Sequence, residues 1–242
     1  MRIIRCNSKE EIANTTYDTF IEYLEGVKDP VIGFATGSSP SGFYNTLIKN
    51  HKQGNISFKA YKSFNLDEYV GLERTHPQSY SYFMRQALFD HIDINKENIF
   101  NVNGGARDIE KECQNYESLL DEFRIDIQIL GIGSNGHIAF NEPKTPLNKG
   151  VHLVRLNERT IADNARFFDS INDVPRTAIT MGPKNILHAK KIILIAQGKG
   201  KAEAVREMLY GDVTDEVPAS ILQLHRHVTV IADVESTSLI ND

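Results

Sequence analysis

The sequence predicts an α/β fold, with a doubly wound, mostly parallel, Rossmann-like sheet covered by helices on both faces and residues 1–242 forming a single domain. Three observations lead there. Short β-branched runs alternate with longer amphipathic segments. Several of these runs are too continuously apolar to leave one face wet, as in strands buried between two helical layers. The chain has 242 residues, 40% of them hydrophobic, which is enough for one sizeable core. No Pro/Ser-rich linker, low-complexity tract or internal repeat divides it.

In chain order, helical periodicity marks 10–24, and an apolar run marks a strand at 31–35. A helix follows at 42–49, a strand at 63–66 and a helix at 78–89, with Pro77 placed where a first helical turn accepts proline. A helix at 109–123 leads to a strand at 125–130, and a strand at 151–156 leads to a helix at 158–168. A strand at 178–181 precedes a helix at 183–188 that opens on Pro183, and a strand at 191–196 precedes a helix at 201–209. A strand at 228–232 completes the pattern. Sheets of this kind bind ligands beyond the carboxyl ends of their strands, so the loops that follow strands are where chemistry is expected.

Composition narrows the partners. Lys and Arg total 27 against 32 Asp and Glu, a formal charge of −5 without blocks of one sign, which argues against a nucleic-acid partner. Cys6 and Cys113 stand far apart with no metal-ligand spacing, consistent with reduced thiols in a cytoplasm. The N-terminus carries no stretch of signal-peptide character and no run reaches membrane-spanning length, so neither export nor a membrane partner is expected. His225 and His227 form an HxH pair suited to one face of a strand, but no third ligand has convincing spacing and no metal site is expected.

Three of the loops that follow strands carry candidate chemistry. Residues 35–42 read Ala-Thr-Gly-Ser-Ser-Pro-Ser-Gly, where glycine, hydroxyls and free N–H groups before a helix suit an anion. An ordinary tight turn with a serine cap would read the same, and the missing Lys after Gly42 rules out a nucleotide-binding P-loop. In Phe-Asn-Leu-Asp-Glu-Tyr at 64–69, Asp67 sits where burial above a sheet would raise its basicity, although a solvated turn acid is the alternative.

Residues 130–143, Leu-Gly-Ile-Gly-Ser-Asn-Gly-His-Ile-Ala-Phe-Asn-Glu-Pro, contain a formal GxGxxG. It lacks the acid that a dinucleotide site places on the next strand, which carries His152 and Arg155 instead. The glycines rather clear space for His137, with Glu142 near enough to orient or charge the imidazole, or the histidine is buried and satisfied by backbone. Arg166 beside two phenylalanines and Lys201 after a Gly-rich turn could grip a phosphate, or be surface charges.

Asn-Leu-Asp-Glu-Tyr-Val-Gly-Leu at 65–72 and the 131–143 segment resemble the two signature segments of the glucosamine-6-phosphate deaminase family. Ala-Thr-Gly-Ser-Ser-Pro at 35–40, Asn-Ala-Arg-Phe-Phe at 164–168 and Pro-Ala-Ser-Ile-Leu-Gln-Leu-His at 218–225 resemble it in the same order, almost end to end. The resemblance implies that His137, oriented by Glu142, helps open a pyranose ring, and that Asp67 moves a proton from C2 to C1 through an enolamine. It implies a small sugar-phosphate substrate held by Thr36, Gly37, Ser38, Arg166 and Lys201, with no cofactor and no metal.

Two departures from the family pattern stand out. Asn135 replaces an aspartate that some members carry in the ring-opening set. The segment 144–154, with His152 and Val154 at two cationic positions, lacks the allosteric phosphate site of longer hexameric relatives, and the C-terminal extension of those relatives is absent. A non-allosteric enzyme, monomeric or a small homo-oligomer, is therefore expected. The rivals are 6-phosphogluconolactonase, which needs no base aimed at a C2–H, and the sugar-phosphate-sensing domain of a regulator, which would need a helix-turn-helix region.

Overall fold

A computed structural model describes residues 1–240, with Arg159 and Asp163 described by backbone alone. The chain runs β1 (Arg2–Cys6), α1 (Lys9–Leu24), β2 (Val31–Phe34), α2 (Ser41–Lys52), β3 (Lys62–Asn65), β4 (Asp67–Tyr69), α3 (Tyr80–Ala87), β5 (Ile99–Phe100) and α4 (Ile109–Glu122). It continues β6 (Ile127–Gly131), β7 (His152–Arg155), α5 (Glu158–Asn164), β8 (Thr177–Thr180), α6 (Pro183–Leu187), β9 (Lys191–Ala196), α7 (Ala202–Tyr210) and β10 (Val228–Asp233).

The main sheet has seven strands in the order β1-β10-β9-β6-β2-β3-β5, and every pairing in it is parallel. Helices cover both faces, as strand alternation shows. Gly33 of β2 is in register with Phe64 of β3, and Phe34 with Asn65, so Phe34 and Phe64 point to opposite faces. Tyr44 of α2 packs edge-on against Phe34, while Tyr116 of α4 packs on Phe64. The central strands β6 and β9 are buried almost throughout, which is why their sequences are continuous apolar runs.

The expected strands at 151–156 and 178–181 form, but not in the parallel sheet. β7 and β8 pair antiparallel with each other and β8 pairs antiparallel with β4, making a second sheet of order β4-β8-β7. A single residue, Leu66, separates β4 from β3, so the chain leaves the main sheet there and pairs with β8 instead. β1, β4 and β5 are strands that the apolar patterning did not mark. The expected helices at 78–89 and 158–168 are shorter than their periodicity implied, each passing into a 3-10 turn, Phe89–His91 and Ala165–Phe167.

Side-chain caps set the starts of the helices that matter below. Ser79 accepts the Tyr82 N–H at α3, and Asn157 accepts the Thr160 N–H at α5. His225 and His227 precede β10 rather than sharing its face, because the 3-10 segment Pro218–Leu224 ends at His225 and a turn follows. His225 bonds through Nε2 to the Ala189 carbonyl at 2.8 Å and accepts the His227 N–H on Nδ1 at 3.2 Å, so both ring nitrogens are engaged within the fold. Among the described residues no helix is long and apolar enough to cross a membrane.

Candidate active site

β9, β6, β2 and β3 are neighbours in that order, and each ends at the carboxyl edge of the sheet in one of the loops singled out above. From β2 the chain winds outward through β3 to β5, then returns to β6 on the other side of β2. Open α/β sheets bind ligands at such a reversal. A cavity of about 260 Å³ lies there, just below the roughly 300–1,000 Å³ usual for small-molecule sites. Thr36, Gly37, Ser38, Asp67, His137, Arg166 and Lys201 all line it.

Asp67 opens β4 and is 5% exposed. Burial, helped by the neighbouring Glu68 carboxylate, pushes its pKa up to about 8. Because side chains alternate along a strand, Asp67 and Tyr69 face the cavity while Glu68 does not. Glu68 instead accepts the backbone N–H groups of Tyr69, Tyr80 and Ser81, each at 2.9 Å, and so ties β4 to the first turn of α3. Asp67 is thus a carboxyl group suited to accept a proton near neutral pH.

His137 lies in the loop after β6, where the Gly133 N–H donates to the His137 carbonyl at 2.8 Å and the His137 N–H donates to Asn135 Oδ1 at 3.2 Å. A Cβ on Gly133 would come within 2.3 Å of the imidazole, so the ring occupies space that only glycine leaves. Behind the ring, Glu142 Oε2 stands 3.7 Å from His137 Nδ1, which has no hydrogen-bond partner. Glu142 accepts Asn135 Nδ2 at 2.9 Å, Asn157 Nδ2 at 2.6 Å and the Thr160 hydroxyl. Burial opposes its charge, but the His137 imidazole, the Thr160 hydroxyl and the Asn135 amide outweigh it and hold the pKa below the ordinary glutamate value.

The remaining groups that line the cavity are of types suited to an anion. Gly37, with φ of 96°, turns the loop between Thr36 and Ser38, and Ser41 Oγ donates to its carbonyl. Gln197 Nε2 donates to the Ser39 carbonyl at 3.0 Å, fixing this loop to the end of β9 that leads to Lys201. Arg166 sits in the 3-10 turn after α5, its guanidinium 4.7 Å from the Phe167 ring centroid.

The sequence matches the family of glucosamine-6-phosphate isomerases/6-phosphogluconolactonases over residues 7–231. The chain belongs to this family. It is 48% identical over 241 residues to a glucosamine-6-phosphate deaminase of Clostridium perfringens (strain 13 / Type A), covering 99% of this chain and 100% of that protein. It is also 48% identical to one of Thermoanaerobacter sp. (strain X514), covering 100% and 96%. Among solved structures, a monomeric glucosamine-6-phosphate deaminase superposes with a TM-score of 0.96 at 45% identity, covering 99% of this chain and 100% of that one. The 6-phosphogluconolactonase of Trypanosoma brucei has a TM-score of 0.82 at 19% identity over 99% and 98%, a likeness of fold.

Within this glucosamine-6-phosphate isomerase/6-phosphogluconolactonase member, Asn135 and Glu142 do not line the cavity but stand behind His137. Sequence reasoning missed Asn157 and Thr160, which reach Glu142 from α5, and the aromatic wall of Tyr69, Tyr80, Phe140 and Phe168. Tyr69 carried a usable signal, since it stands two residues after Asp67 and so on the same side of β4. Asn164 Nδ2 donates to the Tyr69 hydroxyl at 2.9 Å, so α5 touches both β4 and the His137 loop.

Proposed function

We propose that the chain converts D-glucosamine 6-phosphate and water into D-fructose 6-phosphate and ammonium, in amino-sugar catabolism. The observation that carries this reading is one cavity lined by Asp67, His137 and the anion-suited groups Thr36, Gly37, Ser38, Arg166 and Lys201. The phosphate is gripped by backbone N–H groups and hydroxyls of the 36–38 loop and by the two cations. His137 takes the proton from the anomeric hydroxyl and delivers one to the ring oxygen, which breaks the bond between C1 and that oxygen and frees the aldehyde. Glu142, with Asn135 bonding both to it and to the His137 backbone, holds the imidazole in place.

Asp67 then removes the C2 proton, the electrons move onto the C1 carbonyl oxygen, and that oxygen takes a proton from the substrate's C2 ammonium group to give an enolamine. Returning the proton to C1 leaves an iminium at C2, which water hydrolyses to the ketone as ammonium departs. A buried carboxyl with raised proton affinity suits this two-way transfer. A lactonase needs no base for a C–H bond, so the placement of Asp67 supports the deaminase. Non-allosteric behaviour, a monomeric or small homo-oligomeric state and a cytoplasmic setting complete the proposal. The resemblance to a monomeric deaminase supports the first two. Ammonia release from glucosamine 6-phosphate, run beside hydrolysis of 6-phosphogluconolactone, tests the reading. Ammonia without lactone hydrolysis is expected, and the reverse overturns it.

A further inference from the structure

We infer that Asn157, the N-cap of α5, and Thr160, in its first turn, are positioning residues for ring opening: their side chains hold the Glu142 carboxylate behind His137. The inference rests on the deaminase reading and deepens it. Neither residue lies in the 131–143 loop, and both belong to the segment that leads to Arg166.

The geometry singles them out. Asn157 does two things at once: its Oδ1 accepts the Thr160 N–H at 2.7 Å, capping α5, while its Nδ2 donates to Glu142 Oε2 at 2.6 Å. The Thr160 hydroxyl donates to the other carboxylate oxygen, Oε1. With Asn135 also on Oε2, both oxygens are occupied by neutral donors, and Oε2 stands 3.7 Å from His137 Nδ1. Bonds to a charged group are among the stronger ones in a protein; the one from Thr160 is buried, with Glu142 7% and Thr160 5% exposed, and those from Asn157 and Asn135 are partly buried. They fix where the negative charge sits relative to the imidazole, whose Nδ1 has no other partner. At its far end α5 is held by Asn164 on the Tyr69 hydroxyl, so the helix is pinned between the two catalytic neighbourhoods.

Capping and donation can be separated by mutation. Asn157→Ser keeps a capping oxygen and loses the donor, whereas Asn157→Asp keeps the cap and sets a second carboxylate against Glu142. Thr160→Val removes the hydroxyl and keeps the shape, and Thr160→Ser restores the donor. For glucosamine 6-phosphate, Asn157→Ser and Thr160→Val are expected to lower kcat about 10- to 100-fold with KM within about twofold. Asn157→Asp should lower kcat further than Asn157→Ser, and Thr160→Ser should recover most of the loss. In a Glu142→Gln background, Thr160→Val should cost almost nothing more, because its effect passes through the carboxylate.

Wild-type kcat in Asn157→Ser and Thr160→Val would overturn the inference, as would losses confined to KM or losses that add fully to that of Glu142→Gln. The additivity arm also separates positioning from general destabilisation, which would add in either background. These outcomes leave the deaminase reading standing if the unaltered chain releases ammonia. If it releases none, that reading falls and takes this one with it.

Discussion

Asp67 and His137 line one cavity although they belong to different sheets' territory, Asp67 to the first residue of antiparallel β4 and His137 to the loop after parallel β6. The meeting depends on Leu66, the single residue in which the chain leaves β3 and begins β4. From there the pairing of Asp67 with Thr180 on β8 holds the carboxyl over the sheet edge, and the Thr180 hydroxyl accepts the Phe140 N–H from the His137 loop. The base and the imidazole are therefore braced against a common strand, β8.

The raised proton affinity of Asp67 sets a pH dependence. The base must be unprotonated to act, and its pKa in the folded free enzyme is pushed up to about 8, so kcat/KM should fall as pH drops through that value. Glu68→Gln removes the neighbouring like charge and should move this limb to lower pH. A pH profile with no inflection between about 7 and 9 would contradict the assignment.

Gly133→Ala tests the space beside the imidazole. The added Cβ would fall 2.3 Å from the His137 ring, which must move. A displacement of about 1 Å in a catalytic group can cost on the order of 100-fold, so kcat should drop by at least about tenfold with little change in thermal midpoint. Unaltered kcat would show that His137 has no such demand on position.

The anion-suited groups should act on binding. Arg166→Met and Lys201→Met each remove a charge-assisted contact, and KM for the sugar phosphate should rise about 10- to 100-fold with a smaller change in kcat. Competitive inhibition by inorganic phosphate, measured alongside, should weaken in both variants.

Control by a second phosphate ligand should be missing. Saturation curves for glucosamine 6-phosphate should be hyperbolic and unchanged by N-acetylglucosamine 6-phosphate. His152, at one of the two positions where the hexameric relatives are expected to carry cations, is half-buried with Nδ1 at 2.8 Å from the Gly150 carbonyl, and burial lowers its pKa. A sigmoidal curve or strong activation would refute this.

Much of this arrangement was legible from residues near one another in the chain. The apolar runs of β2, β6, β9 and β10 announced buried parallel strands, and the loops after β2, β3, β6 and β9 carried the cavity's glycine-rich turns and, Arg166 apart, the charged groups singled out. Strand direction was not legible, because pairing partners lie far apart and nothing local states which edge a strand joins. β7 carried no hint of its pairing: it reads His-Leu-Val-Arg, with Leu153 and Arg155 exposed and His152 and Val154 half-buried, so its wet face holds an apolar residue and the sequence does not alternate. β1 escaped notice because Arg2 and Arg5 interrupt its apolar residues, and β5 because it has only two residues. The links from Asn157 and Thr160 to Glu142 cross 15 and 18 positions through the fold, and an asparagine that starts a helix looks in sequence like a cap alone.

The central claim is that Asp67 takes the C2 proton. Its most direct test is the rate of ammonia release from glucosamine 6-phosphate by Asp67→Asn, measured beside the unaltered chain with sugar-phosphate binding checked in both. The account predicts a loss of about 100- to 10,000-fold in kcat with binding retained, the scale of a missing general base. Turnover within a fewfold of the unaltered rate would contradict it.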